Sequence, residues 1–222
     1  LLKKHFDENP NDGAFFFHDA DFIFTRPLDF TPYLNDHNWY FSDTISYIGH
    51  DYIVSKGEEV LDAMCKVVGI DKAVVKANQE NSGGAQKLMK GLTSQYWEKV
   101  ERDGIMLYDT MTKLRHVKRE GDPYGIQAWT ASMWAELWNG WLSGRNIVVP
   151  REFDFCWATC PIERWRDMYF FHNAGVPNMN QRMFYKAAYA HKLPYMEDLD
   201  ISDQRCSYMY YMEMKSIDSC LL

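Results

Sequence analysis

No run of about eighteen apolar residues occurs in the chain, so nothing in it spans a bilayer as a helix. Positive charge is also in deficit, with 24 Lys and Arg against 31 Asp and Glu and a formal net charge of -7. Binding a polyanionic backbone needs a basic surplus on one face, which argues against a nucleic-acid partner. An acidic protein that handles a phosphate compound commonly recruits a divalent cation to offset the repulsion, so a metal site is worth seeking. Cysteine is sparse and odd in number: Cys65, Cys156, Cys160, Cys206 and Cys220, with only Cys156 and Cys160 closely spaced. That pattern argues for a reducing compartment and supplies too few ligands for a zinc site. Internal repeats and low-complexity linkers are absent, so residues 1–222 read as one domain.

Aromatics, by contrast, are abundant at 16%, which suits a large core or a groove of flat rings on which sugars stack. The chain opens at Leu1 without Met, inside what reads as the end of a helix over residues 1–6. The expectation is that the native start lies upstream. The cytoplasm is then the default location, and a Golgi or other membrane anchor stays open.

Hydrophobic spacing sets out the elements. Residues 14–17 form a continuous apolar run after a turn, suited to a central strand buried on both faces. Tyr52 to Val54 reads as a strand feeding a helix that opens on the capping-box pattern Ser55-Lys56-Gly57-Glu58 and closes at Gly69. A strand over 85–89 follows the pair Gly83-Gly84, and a helix over 93–102 precedes Gly104. Ile126, Thr130, Met133, Trp134, Leu137, Trp138 and Trp141 trace the best helical stripe, ending at Gly144. Strands over 147–149 and 168–171 come next, then a helix over 180–191 stopped by Pro194. Strands alternating with helices predict an α/β fold, a mixed, mainly parallel sheet flanked by helices.

The sharpest chemical feature is Phe15-Phe16-Phe17-His18-Asp19-Ala20-Asp21. A bare Asp-x-Asp is more often a solvated turn, but here Phe22-Ile23-Phe24 follows at once, and solvated turn acids are seldom flanked by apolar residues on both sides. Two carboxylates at a strand tip can converge on one hard cation such as Mn²⁺ or Mg²⁺. A second apolar strand ends similarly, at Tyr169-Phe170-Phe171-His172-Asn173-Ala174-Gly175. One imidazole with two carboxylates is an oxygen and nitrogen set that suits Mn²⁺. The third feature, Asn81-Ser82-Gly83-Gly84-Ala85-Gln86, pairs glycines that let a ligand approach the backbone with amide and hydroxyl groups that hydrogen-bond sugars.

In order and spacing these three segments resemble the Asp-x-Asp motif, the donor-contacting strand entry and the late metal-binding histidine of GT-A glycosyltransferases. The stretch Asp19 to Leu28 also resembles the motif region of peptidyl hydroxyproline arabinosyltransferase-like enzymes. The resemblance implies a partial GT-A, Rossmann-like fold whose first half-sheet, carrying base and ribose contacts, precedes Leu1. It implies Mn²⁺ or Mg²⁺ held by Asp19, Asp21 and His172 against the diphosphate of a UDP- or GDP-sugar. Asp19, Asn81, Ser82, Gly83, Gly84 and Lys186 would contact that donor. On the acceptor side, a glycan, a glycoprotein or a small hydroxyl compound, it implies sugar contacts from Asp122 and Gln127 and a general base at Glu136. Trp129, Trp134 and Trp138 are candidates for stacking, in a stripe otherwise read as core.

Two other readings remain. A haloacid-dehalogenase-like phosphatase also opens on an apolar strand and Asp-x-Asp, with Asp19 as nucleophile and Asp21 as acid or base. A sugar-binding module without turnover is the non-enzymatic alternative.

Overall fold

The computed structural model describes residues 1–10, 13–115 and 124–218, so Asp122 and Cys220 lie outside the described residues. The chain divides into two compact units, one of Leu1–Phe17 with Thr31–Arg151, the other of His18–Phe30 with Glu152–Leu222.

The first unit holds a four-stranded sheet in the order β1 (Ala14–Phe17), β4 (Gly83–Lys90), β3 (Trp39–Asp43), β5 (Ile147–Val148). β4 runs antiparallel to both β1 and β3, and β5 is parallel to β3. Helix Ser94–Leu114 starts where the Thr93 hydroxyl accepts from the Tyr96 amide at 3.2 Å, an N-cap that fills one orphan donor. It buries Trp97, Val100, Leu107 and Met111 on one face and packs against helix Ala131–Leu142, which buries Trp134, Leu137 and Trp138. Asp103, only 2% exposed, is held by Lys99 at 2.5 Å and by the Asn139 amide at 3.0 Å, so its burial is compensated.

The second unit holds a three-stranded sheet in the order β2 (Phe22–Phe24), β7 (Phe170–His172), β6 (Phe155–Trp157). β2 is antiparallel to β7, and β6 is parallel to it. Phe22, Phe24 and Phe153 meet Phe170 at ring separations of 5.2 to 5.8 Å, edge-on or tilted as aromatic quadrupoles prefer. Helix Cys206–Asp218 joins a separate core of Cys156, Ala158, Trp165, Met168, Phe171 and Cys206.

The α/β class and the flanking helices agree with the sequence. The mainly parallel sheet does not: most strand pairings are antiparallel. An unbroken apolar tetrapeptide looks the same at an antiparallel edge as in a parallel centre, and β1 is an edge strand only partly buried. Tyr52 to Val54, expected as strand, lies in helix His50–Lys56, where the Gln79 side chain accepts from the first-turn amide of Asp51 at 3.1 Å. The capping box does not form. Ser55 donates instead to the Tyr52 carbonyl at 2.6 Å, and Gly57 stands at the N-cap without a side-chain bond. Gly104 does not end its helix but lies inside it, 3.7 Å short of Ala135 for an added Cβ. The helix expected over 180–191 is replaced by 3₁₀ turns at Met179–Gln181 and Lys186–Tyr189. Arg182 between them is left-handed at φ 48°, and the Phe184 amide donates to the Ser207 hydroxyl at 2.7 Å rather than to a helical carbonyl.

Candidate metal centre

The acids and the histidine expected to converge do so, and all three belong to the second unit. The register Phe22↔His172 continues beyond the strands through the Asn173 amide, which donates to the Asp21 carbonyl at 2.9 Å. That pairing fixes the turn His18 to Asp21 beside the end of β7. His172 Nε2 lies 3.2 Å from Asp19 Oδ2 and 3.4 Å from Asp21 Oδ1. One ligand atom from each residue lies within 4.8 Å of the others. Trp157, opposite His172 on β6, stacks on its ring at 6.0 Å and 16°, fixing the imidazole plane.

The three groups differ in exposure. The Asp19 side chain is 62% exposed, those of Asp21 and His172 only 17% and 10%. Burial opposes ionisation of Asp21, but hydrogen bonds from His172 and Lys186 outweigh it and hold the carboxyl at about 2. Burial likewise opposes charge on His172, and the bonds to Asp19 and Asp21 overcome it, raising the imidazole to about 9. Lys186 forms an ion pair with Asp21, so the lysine singled out for the donor phosphates stands at the metal-ligand cluster.

Two carboxylate oxygens and an imidazole nitrogen fit a divalent cation of the Mn²⁺ or Mg²⁺ type better than a soft ion that selects thiolates. One buried polar group next to His172 in the chain was not singled out from the sequence. Asn173 is 2% exposed, and its Oδ1 has no hydrogen-bond partner among the described residues, a costly state for a buried carbonyl. Its signal was its place directly after His172.

The remaining candidates lie in the first unit. Asn81 ends the 3₁₀ turn Gln79–Asn81, and Ser82 is buried, its carbonyl accepting from the Thr44 hydroxyl at 3.1 Å. Gly83 and Gly84 open β4, and their close approach is to the protein itself. A Cβ on Gly83 would stand 2.5 Å from Phe41 Cβ, and one on Gly84 would strike Met133. The register steps from Phe41↔Lys87 to Ser42↔Gly84, leaving Ala85 and Gln86 in a bulge. Ala85 takes φ 52°, strained for a residue with a Cβ, and buried Gln86 accepts from the Ser42 hydroxyl at 2.9 Å while its Nε2 has no partner among the described residues. Glu136 is paired with Lys87, both side chains nearly buried. Gln127 donates to the Tyr47 carbonyl at 2.8 Å and lines a groove of about 810 Å³ with Tyr52, Tyr124 and exposed Trp129. Trp134 and Trp138 are fully buried, which leaves Trp129 as the exposed ring of the three.

No helix among the described residues is long and apolar enough to cross a membrane. The chain matches no family model, no curated protein and no solved structure.

Proposed function

We propose that this chain is a metal-dependent glycosyltransferase that moves a sugar from a nucleoside-diphosphate donor to a hydroxyl acceptor. The observation that carries the reading is the convergence of Asp19 and Asp21 with His172, which is far from them in the sequence, so that one ligand atom of each lies within 4.8 Å of the others. These three hold Mn²⁺ or Mg²⁺, which supplies electrostatic stabilisation of the charge that develops on a departing diphosphate. Lys186, already at Asp21, donates to the diphosphate of the UDP- or GDP-sugar. A partial GT-A fold is part of the same proposal.

Calorimetric titration of Mn²⁺, and of UDP with and without Mn²⁺, tests it. Wild-type protein is expected to bind UDP only with the ion, and Asp21→Asn to lose that binding. Unchanged ion-dependent UDP binding in Asp21→Asn sinks the assignment. Donor hydrolysis then separates the chemistry. Mn²⁺-dependent release of sugar from one of a set of UDP- and GDP-sugars supports the transferase, and hydrolysis of p-nitrophenyl phosphate alone supports phosphatase chemistry at Asp19.

A further inference from the structure

The first unit carries a groove that the metal centre does not use. It holds about 810 Å³, near the upper end of the range in which ligand pockets fall, about 300–1,000 Å³. Part of its lining comes from the last turns of helix Ser94–Leu114, with Tyr108, Thr112 and the C-cap Arg115. Another part comes from the turn Ala128–Thr130 and the residues before it, with Tyr124, Gln127 and Trp129. Gly125 joins the two: a Cβ on it would strike the Arg115 carbonyl, so only glycine lets these backbones meet. Helix His50–Lys56 adds Tyr52 and Lys56, and the Lys56 ammonium donates to the Tyr124 carbonyl at 3.2 Å.

Rings, hydrogen-bonding groups and charge together define what fits there. Trp129 is 67% exposed although Tyr47 stacks behind it at 6.0 Å and 23°, and the Gln127 side chain fixes Tyr47 by donating to its carbonyl at 2.8 Å. An indole supported on one face and still mostly exposed is a platform for a flat ligand, and Tyr108 and Tyr124 are exposed beside it in the same lining. Tyr108, Thr112 and Gln127 also bring two hydroxyls and an amide, more polar groups than an apolar ligand can answer. In a chain of net charge -7, the groove carries the cations Lys56 and Arg115 and no Asp or Glu among its described lining residues. Two cations without a compensating acid select an anion, and a guanidinium presents parallel donors to a carboxylate. An aromatic acid would meet the ring and the cations but not the hydroxyls; a sugar acid meets all three.

We propose that this groove binds an acidic oligosaccharide, with one sugar ring stacked on Trp129, its hydroxyls bonded to Thr112 and Gln127, and its carboxylate or sulfate held by Arg115 and Lys56. The inference is independent of the glycosyltransferase reading. Every residue it uses belongs to the first unit, the metal-ligand set belongs to the second, and either stands without the other.

The chain is titrated in EDTA, which keeps the metal centre out of the readout, with a panel of uronate-bearing, sialylated and sulfated oligosaccharides, each beside its neutral counterpart. Calorimetry and tryptophan fluorescence read the binding. UMP and indole-3-acetate stand for anions that stack through a base or an aromatic ring. An acidic oligosaccharide of the panel is expected to bind about tenfold or more tighter than its neutral counterpart and than either of these anions. Trp129→Ala should weaken it by about tenfold or more, and Trp129→Phe should recover part of the loss. Arg115→Gln should bring the acidic ligand toward the neutral one and leave neutral binding unchanged. Both positions are exposed, so the variants should melt with the wild type. Binding of no panel member, equal binding of acidic and neutral partners, tighter binding of UMP or indole-3-acetate, or wild-type affinity in Trp129→Ala overturns the proposal.

Discussion

His172 is drawn two ways by its surroundings, and the balance makes a pH-dependent contribution to stability. Burial favours the neutral ring, but Asp19 and Asp21 favour the imidazolium and win, raising it from 6.5 to about 9. A group raised on folding contributes stability that is complete below its unfolded value and lost as pH climbs through the folded one. Without added divalent ion, stability should therefore fall between about pH 6.5 and 9, by on the order of 1–3 kcal/mol. Asp21, held at about 2, acts at the other end: its contribution is present above the ordinary carboxylate value and lost as pH falls toward 2. The two describe the same contacts and are not additive. Urea unfolding at pH 6 and pH 9 reads the difference, and His172→Gln should flatten it. A slope as steep in the variant would place the titration elsewhere. Cation binding needs the neutral ring, so each ion bound near pH 7 should release close to one proton, measurable by calorimetry in buffers of differing ionisation enthalpy.

At the scale of elements, two glycines separate backbone freedom from packing. Gly104 lies within helix Ser94–Leu114, and an added Cβ would come no closer than 3.7 Å to Ala135 and 3.9 Å to Ser132, ordinary contacts. Gly104→Ala should stabilise the protein by about 0.5–1 kcal/mol, since alanine costs less to fix in a helix and meets no clash. Gly83→Ala should do the reverse, by about 1–3 kcal/mol, because the new methyl would press on Phe41 Cβ and the Ser42 carbonyl. Thermal melts of the two variants check the opposite signs, and equal shifts would contradict the packing described. The same elements show what the sequence could reveal. Ala14–Phe17 and the helix closed by Gly69 were legible because local apolar spacing and a left-handed glycine at φ 77° specify them. Helix His50–Lys56 was not, because a short Tyr-Ile-Val run favours strand until Gln79, distant in sequence, satisfies its first turn. The metal cluster was legible as two strand tips. The partners that set its charge, Lys186 and the stacked Trp157, depend on turns and register that no local pattern specifies, although Lys186 could be singled out as a cation.

At the scale of the whole molecule, the chain passes from one unit to the other after Phe17, back after Phe30 and again after Arg151. Each unit carries its own sheet, and the metal-ligand set falls entirely in the second. A specific cation should therefore act locally. Its binding free energy adds to the folding of the turn His18 to Asp21 and of β7, which carry the ligands, and of β2, which follows the turn and pairs with β7. In hydrogen exchange with and without Mn²⁺, amides of Phe22–Phe24 and Phe170–His172 should slow, while those of β3 and β4 keep their rates. A net charge of -7 also gathers cations diffusely, so the control is His172→Ala, which keeps every carboxylate and removes the nitrogen ligand. Diffuse binding would persist in that variant and spread over both units. Site binding should vanish there, leaving exchange at Phe22–Phe24 insensitive to the ion, and slowing that survives His172→Ala would detach the cation from this cluster.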